Sequence, residues 1–203
     1  MTISAYDSFT RVGAAGAPLV FAFHGTGGDE RQFAELVVQL LPDASLVSPR
    51  GDVSEHGALR FFRRTGEGVY DMTDLAARTG KMAGFVAAHK AANPGRPVYG
   101  LGYSNGANIL ASVMFAEPEL FDRIALLHPL IPWTPDANPG LAVKSVLVTA
   151  GQRDPICPLP LTAALVEYLK RQEARVTTAF HGGGHEIRQE ELLALQSFLT
   201  ARD

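Results

Sequence analysis

Short apolar runs alternate with amphipathic stretches along almost the whole chain. Leu19-Val20-Phe21-Ala22-Phe23 is apolar at every position and too short for a helix, which predicts a strand buried on both faces. Phe33, Leu36, Val37 and Leu40 follow at helical spacing, with Asp29 and Gln32 read as a capping box and Pro42 as the stop. Ala44-Ser45-Leu46-Val47 is the next strand, cut by Pro49 and Gly51, and the stretch 51–70, rich in Gly and Arg, reads as loop. A helix is predicted over residues 73–90, with Met82, Phe85, Val86 and His89 on one side, before the stop at Pro94-Gly95. A strand at 98–101, a helix at 107–115 and buried strands at 124–127 and 146–150 come next. Leu161, Ala164, Leu165, Tyr168 and Leu169 mark another helix, then 176–180 a last strand and 190–200 a last helix. This alternation predicts an α/β fold built on a mainly parallel sheet with helices on both faces. Sites in such folds lie at the carboxyl ends of the strands.

Composition narrows the picture. The 203 residues fit a single domain spanning 1–203, and 46% hydrophobic with 19% charged residues is ordinary for a globular protein. A formal net charge of −3 offers no basic footprint for nucleic acid or an anionic membrane surface. No apolar run approaches the length of a membrane span, and the N-terminus has no basic-then-apolar signal pattern. With one cysteine, Cys157, no internal disulfide can form, which fits a reducing, cytoplasmic setting. A homodimer is compatible with all of this.

The candidate chemistry lies just after the predicted strands. Ser104 sits in Gly102-Tyr103-Ser104-Asn105-Gly106, between a strand and a helix. So sharp a turn pushes a serine hydroxyl into the open, and the flanking glycines let strand and helix approach. A serine needs a base, and the base needs an acid to fix its tautomer; in doubly wound hydrolases the chain order is serine, acid, histidine. Asp154 follows the strand ending at Ala150, whereas Asp122 precedes a strand and Asp136 lies in a Pro-rich loop, so Asp154 is the acid. His185 follows the glycines of His181-Gly182-Gly183-Gly184, beside the last helix, and is chosen as base over His181, which is read as closing the strand. The His-x-x-x-His spacing is not read as a metal site, because three intervening glycines do not make a helix face. After the first strand, His24-Gly25-Thr26-Gly27-Gly28-Asp29 can bring its backbone close to a carbonyl. The main-chain N–H groups of Thr26 and Asn105 are assigned to an oxyanion hole, with His24 supporting the loop.

Taken together, His24 to Asp29, Gly102 to Gly106, Asp154-Pro155-Ile156-Cys157 and Gly184-His185 resemble the carboxylesterase/phospholipase family of small α/β-hydrolases. Within it the chain is similar to the esterase branch related to acyl-protein thioesterases. Pro49-Arg50-Gly51, the run 60–64 and His128-Pro129-Leu130-Ile131-Pro132 fit that branch too. The resemblance implies an α/β-hydrolase fold and a Ser104–His185–Asp154 triad; no large cap domain is expected, since the length leaves little room for one and no segment between the strand at Ile124 and Asp154 reads as a helical lid. The resemblance also implies a small-molecule ester as substrate, and no metal or organic cofactor. Trp133 departs from the pattern. Gly25, Phe61, Phe62, Trp133 and Ile156 are the expected pocket residues; Arg60, Arg63 and Arg64 are read as a solvated basic loop, and Cys157 as buried filler.

The expected reaction is hydrolysis of short- to medium-chain esters through an acyl-enzyme, with an acyl-protein thioesterase or lysophospholipase-like activity as the alternative. Hydrolysis is expected to rise across about pH 6–7, where an ordinary imidazole loses its proton. Two rivals are weaker. Gly100-x-Gly102-x-x-x-Gly106 resembles a dinucleotide fingerprint, but the next strand ends in His128-Pro129 with no acid for a ribose. A non-catalytic binding protein would not need three triad residues in order.

Overall fold

The computed structural model describes residues 2–201. From the N-terminus run β1 (Ser8–Arg11), β2 (Leu19–Phe23), α1 (Ala34–Leu40) and β3 (Ser45–Pro49). Four short strands follow: β4 (Val53–Glu55), β5 (Ala58–Arg60), β6 (Arg64–Gly66) and β7 (Val69–Tyr70). Then come α2 (Met72–Ala91), β8 (Val98–Tyr103), α3 (Asn105–Ala116), β9 (Arg123–Leu127) and β10 (Ser145–Gly151). The chain closes with α4 (Leu159–Arg171), β11 (Arg175–His181) and α5 (Gln189–Thr200). Seven strands form one sheet in the order β1-β3-β2-β8-β9-β10-β11. Every pairing in it is parallel except β1 with β3.

The strand pleat divides the apolar runs between two cores. From β2, Leu19, Phe21 and Phe23 enter one core; Val20 and Ala22 enter the other. In β9, Ile124 and Leu126 go to the first, Ala125 and Leu127 to the second. Helices α2, α3 and α4 cover the first face, through residues such as Phe85, Leu110 and Leu165. Helices α1 and α5 cover the second, through Val37, Leu195 and Leu199. Burial on both sides is why these strands read as continuous apolar runs with no polar alternation. The result is the α/β architecture predicted, and no large cap interrupts it among the described residues: between β9 and β10 there is only a three-residue helical turn, Pro139–Leu141. No helix of the described residues is long and apolar enough to cross a membrane.

Two local readings are corrected, and one strand was not read. Asp29 and Gln32 do not form a capping box: α1 starts at Ala34, the Asp29 carboxylate accepts the Arg31 N–H, and Gln32 Oε1 accepts the Gly25 N–H. The stretch 51–70 is not loop throughout; β4 pairs with β5 and β6 with β7 as two small antiparallel hairpins. Strands of two or three residues with charged side chains carry too little periodicity to be read from sequence. The same holds for β1, whose Ser8-Phe9-Thr10-Arg11 edge pairs with β3.

Candidate active site

Strand β8 passes through Ser104 into α3. Ser104 has φ +53° and ψ −118°, a region that residues with a side chain seldom occupy. Two backbone hydrogen bonds hold it there: the Ser104 N–H donates to the Leu127 carbonyl at 2.9 Å, and its own carbonyl accepts from the Asn108 N–H at 3.0 Å. The flanking glycines are required by contact. A Cβ on Gly102 would lie 2.6 Å from the Gly106 carbonyl oxygen, and one on Gly106 would run into the carbonyls of Phe23 and His24.

The loops after β10 and β11 bring two further groups to this turn. His185 Nε2 lies 3.0 Å from Ser104 Oγ, and His185 Nδ1 lies 2.7 Å from Asp154 Oδ2. Asp154 is oriented from behind: its Oδ1 accepts the N–H groups of Ile156 at 2.8 Å and Cys157 at 2.9 Å, which leaves Oδ2 for the imidazole. Burial opposes ionisation of Asp154. The Cys157 and Ile156 amides and the rings of His128 and His185 outweigh it, and its pKa is held below the ordinary carboxylate range. An ionised acceptor at Nδ1 puts the ring proton there and leaves the Nε2 lone pair for the serine hydroxyl. Tyr103 fixes the loop from below, its hydroxyl donating to the His185 carbonyl at 2.6 Å. Burial pushes that phenol up to about 12, with Asp154 adding to it, so it stays a donor.

A cavity of about 260 Å³ opens beside Ser104, with Thr26, Arg60, Arg64, Tyr70, Leu130 and Ile156 among its walls. Among the described residues, neither the Thr26 nor the Asn105 amide N–H has a hydrogen-bond partner. For Asn105 this follows from its place in the first turn of α3, where N–H groups have no partner one turn back. Its side chain is used elsewhere, Oδ1 accepting the Phe61 N–H at 2.8 Å. His24 supports the loop as expected. The Gly51 N–H donates to its Nε2 at 2.9 Å, so Nδ1 carries the proton and donates to the Gly25 carbonyl at 2.7 Å. Burial lowers the His24 pKa, which keeps that ring neutral.

Of the expected pocket residues, Ile156 lines the cavity and four do not. Phe61 and Phe62 are fully buried; Phe61 packs on Phe23 and His24, and Phe62 on Tyr70. The Phe61 N–H is held by Asn105 Oδ1 at 2.8 Å, which fixes the backbone of this pair under the loop. Gly25 is covered by the Tyr103 ring. Trp133 faces a separate groove with Met72 and Leu75. The basic loop is also corrected in part. Arg60 is buried, with Nη1 donating to Thr26 Oγ1 at 2.8 Å and lying 3.3 Å from Glu55, while Arg64 pairs with Glu55 at 2.9 Å. Arg63 is the solvated one, bridging Asp71 and Asp74 at the start of α2. Cys157 is buried, and burial raises its thiol pKa, with Asp154 adding to the effect.

Sequence reasoning missed the layer behind Asp154. His128, at the end of β9, is fully buried with Nδ1 2.8 Å from Asp154 Oδ2 and Nε2 2.9 Å from Glu191 Oε1. Glu191 Oε2 faces His181 Nε2 at 2.9 Å and accepts the Arg188 N–H at 2.8 Å. The two histidine contacts to Glu191 are at hydrogen-bond distance but poorly aligned. A strand-terminal His128-Pro129 was a usable signal. Glu191 gave none, because an acid in the first turn of an amphipathic helix reads as a surface residue. The donor sets His128–Asp154–His185 and His128–His181–Glu191 are each compact enough to surround a cation. In both, ring nitrogens and carboxylate oxygens already face one another directly.

No family model matches the chain. A Bacillus subtilis (strain 168) protein named "Putative hydrolase MhqD" is 38% identical over 176 residues, covering 85% of this chain and 88% of that protein. Among solved structures, protein Atu2452 of unknown function from Agrobacterium tumefaciens str. C58 superposes with a TM-score of 0.92 at 56% identity, over 98% of both chains. The Bacillus cereus carboxylesterase superposes with a TM-score of 0.87 at 35% identity, over 94% of this chain and 92% of that one. With the sheet order, the strand–serine–helix turn and these relatives in agreement, the chain belongs to the carboxylesterase/phospholipase family of small α/β-hydrolases and is a carboxylesterase-type hydrolase.

Proposed function

We propose that the protein is a serine carboxylesterase acting on short- to medium-chain carboxylic esters through an acyl-enzyme. The observation that carries this reading is the unbroken contact chain Asp154 Oδ2–His185 Nδ1 at 2.7 Å and His185 Nε2–Ser104 Oγ at 3.0 Å, at the edge of an open cavity. Ser104 Oγ attacks the ester carbonyl carbon while His185 Nε2 takes its proton. The carbonyl oxygen becomes an oxyanion held by the Thr26 and Asn105 amides, each contributing roughly 3 kcal/mol to the transition state. Collapse expels the alcohol, which takes the proton from His185. Water, activated by the same ring, then attacks the acyl-enzyme and releases the acid.

The acyl range follows from size. A cavity of about 260 Å³ is small beside the ~300–1,000 Å³ of sites for drug-sized ligands. The apolar groove at Trp133 is lined by other residues and does not extend it. Nitrophenyl acetate and butyrate are therefore expected to be turned over with at least about tenfold higher kcat/KM than the palmitate, an order-of-magnitude expectation for a pocket that cannot enclose the longer chain. A palmitate preference would contradict the proposed chain length. Loss of all ester turnover in Ser104→Ala, with the circular dichroism spectrum unchanged, tests the serine itself.

A further inference from the structure

His128 has a carboxylate oxygen against each ring nitrogen. A neutral imidazole carries one N–H and one lone pair, so it would satisfy one carboxylate and turn its lone pair on the other. The proton that relieves this clash has two homes, His128 or one of the acids. Asp154 already receives the Ile156 and Cys157 amides and the His185 ring. Glu191 receives the Arg188 amide on Oε2, where it also faces His181. His181 Nδ1 accepts the Gly183 N–H at 3.0 Å, so its proton is on Nε2, turned toward Glu191. Each of these neighbours presents a donor and favours the anionic form of its carboxylate. The proton belongs on His128.

The backbone supports a deliberate placement. His128 has φ +49°, in the left-handed region that side chains avoid, and is held there by its N–H to the Thr149 carbonyl and by the Cys157 thiol on its own carbonyl. The groups facing the ring are Tyr103 at the end of β8, Asp154 and Cys157 after β10, His181 on β11, His185 on the next loop and Glu191 on α5. Burial disfavours charge on His128. Glu191 and Asp154 outweigh it, and its pKa is held above the ordinary histidine value.

We propose that His128 is a standing imidazolium clamped between Asp154 and Glu191, and that it is a positioning residue which carries hydrolysis to lower pH by sharing Asp154 Oδ2 with His185. This rests on the reading that Ser104 and His185 perform the reaction. The sign follows from the charges. With a cation already on Asp154 and its ring centroid 5.2 Å from that of His185, a second proton on His185 is disfavoured. The base is then free at lower pH than it would be beside an unshared carboxylate.

Glu191→Gln tests this with little change of shape. Its side-chain oxygen takes the place of Oε2 before the Arg188 N–H and His181, and its nitrogen takes the place of Oε1 before His128. A donor there suits only a neutral His128 carrying its proton on Nδ1 toward Asp154. The variant is expected to move the acid limb of kcat/KM for a short nitrophenyl ester upward by roughly half to one pH unit, with activity near pH 8.5 retained. An unmoved acid limb, or equal loss at every pH, overturns the tuning role. Nitrogen-15 NMR of the native chain reads the charge independently. The imidazolium signature of His128 at pH 7.5, where an ordinary histidine is neutral, supports the clamp; a neutral ring there overturns it, whether or not Glu191→Gln folds. A native chain with no ester turnover and no labelling at Ser104 removes the hydrolase reading and the tuning role, while the NMR signal still reports the clamp.

Discussion

Asp154→Asn is expected to lower kcat/KM by about 10⁴-fold while leaving the fold in place. Asp154 Oδ1 is fixed by two amide donors, from Ile156 and Cys157, so the asparagine oxygen must stay on that side. Its NH₂ then replaces Oδ2, which faces Nδ1 of both His185 and His128 at 2.7 and 2.8 Å. Donor would meet donor at each contact. His185 can escape by moving its proton to Nε2, the nitrogen that must accept from Ser104. Turning the amide over only moves the conflict to Ile156 and Cys157. Kinetics with a short nitrophenyl ester, beside circular dichroism, would show the effect. Asp122→Asn is the control: Asp122 is exposed and, among the described residues, its carboxylate accepts the Val98 N–H alone, which an asparagine oxygen can also do. Its activity is expected to stay within about twofold, as for surface changes away from a site.

The largest expected effect on stability is at Gly106. Its added methyl would meet the carbonyls of Phe23 and His24, which belong to the central strand β2 and the loop after it. Neither can yield without separating α3 from the sheet. Gly106→Ala is expected to cost about 3 kcal/mol or more, lowering Tm by roughly 6–12 °C in a domain of this size. Gly80→Ala supplies the contrast. Gly80 is exposed in the middle of α2 and an added Cβ meets nothing within 4 Å, so the change is expected to stabilise by about 0.5–1 kcal/mol. Thermal melts of the two variants side by side would settle both.

What was legible from the sequence follows the range of each signal. Fully buried strands such as β2 and β9 announce themselves, because burial on both faces demands four or five apolar residues in a row. Ser104 and Asp154 could be named because each lies just past a buried strand, and His185 because it follows the last strand, in the chain order hydrolases use. Phe61 and Phe62 could not be placed, since an aromatic pair beside arginines suits a pocket wall as well as a core. Their burial is decided by Asn105, 44 residues away, which captures the Phe61 N–H. Arg60 was missed for the same kind of reason: its partners Thr26 and Glu55 come from a different loop and a hairpin strand too short to read. Glu191 is the extreme case. Its role exists only because β9, β11 and α5 converge, bringing His128 and His181 to one carboxylate.

The most direct measurement is a fluorophosphonate reaction followed by peptide mass spectrometry. If the alcohol at position 104 is activated by its imidazole, the phosphonyl adduct forms stoichiometrically on the peptide carrying Ser104, and Ser104→Ala takes up none. An unmodified folded protein, or an adduct on another residue with Ser104 untouched, would contradict a serine hydrolase built on this turn.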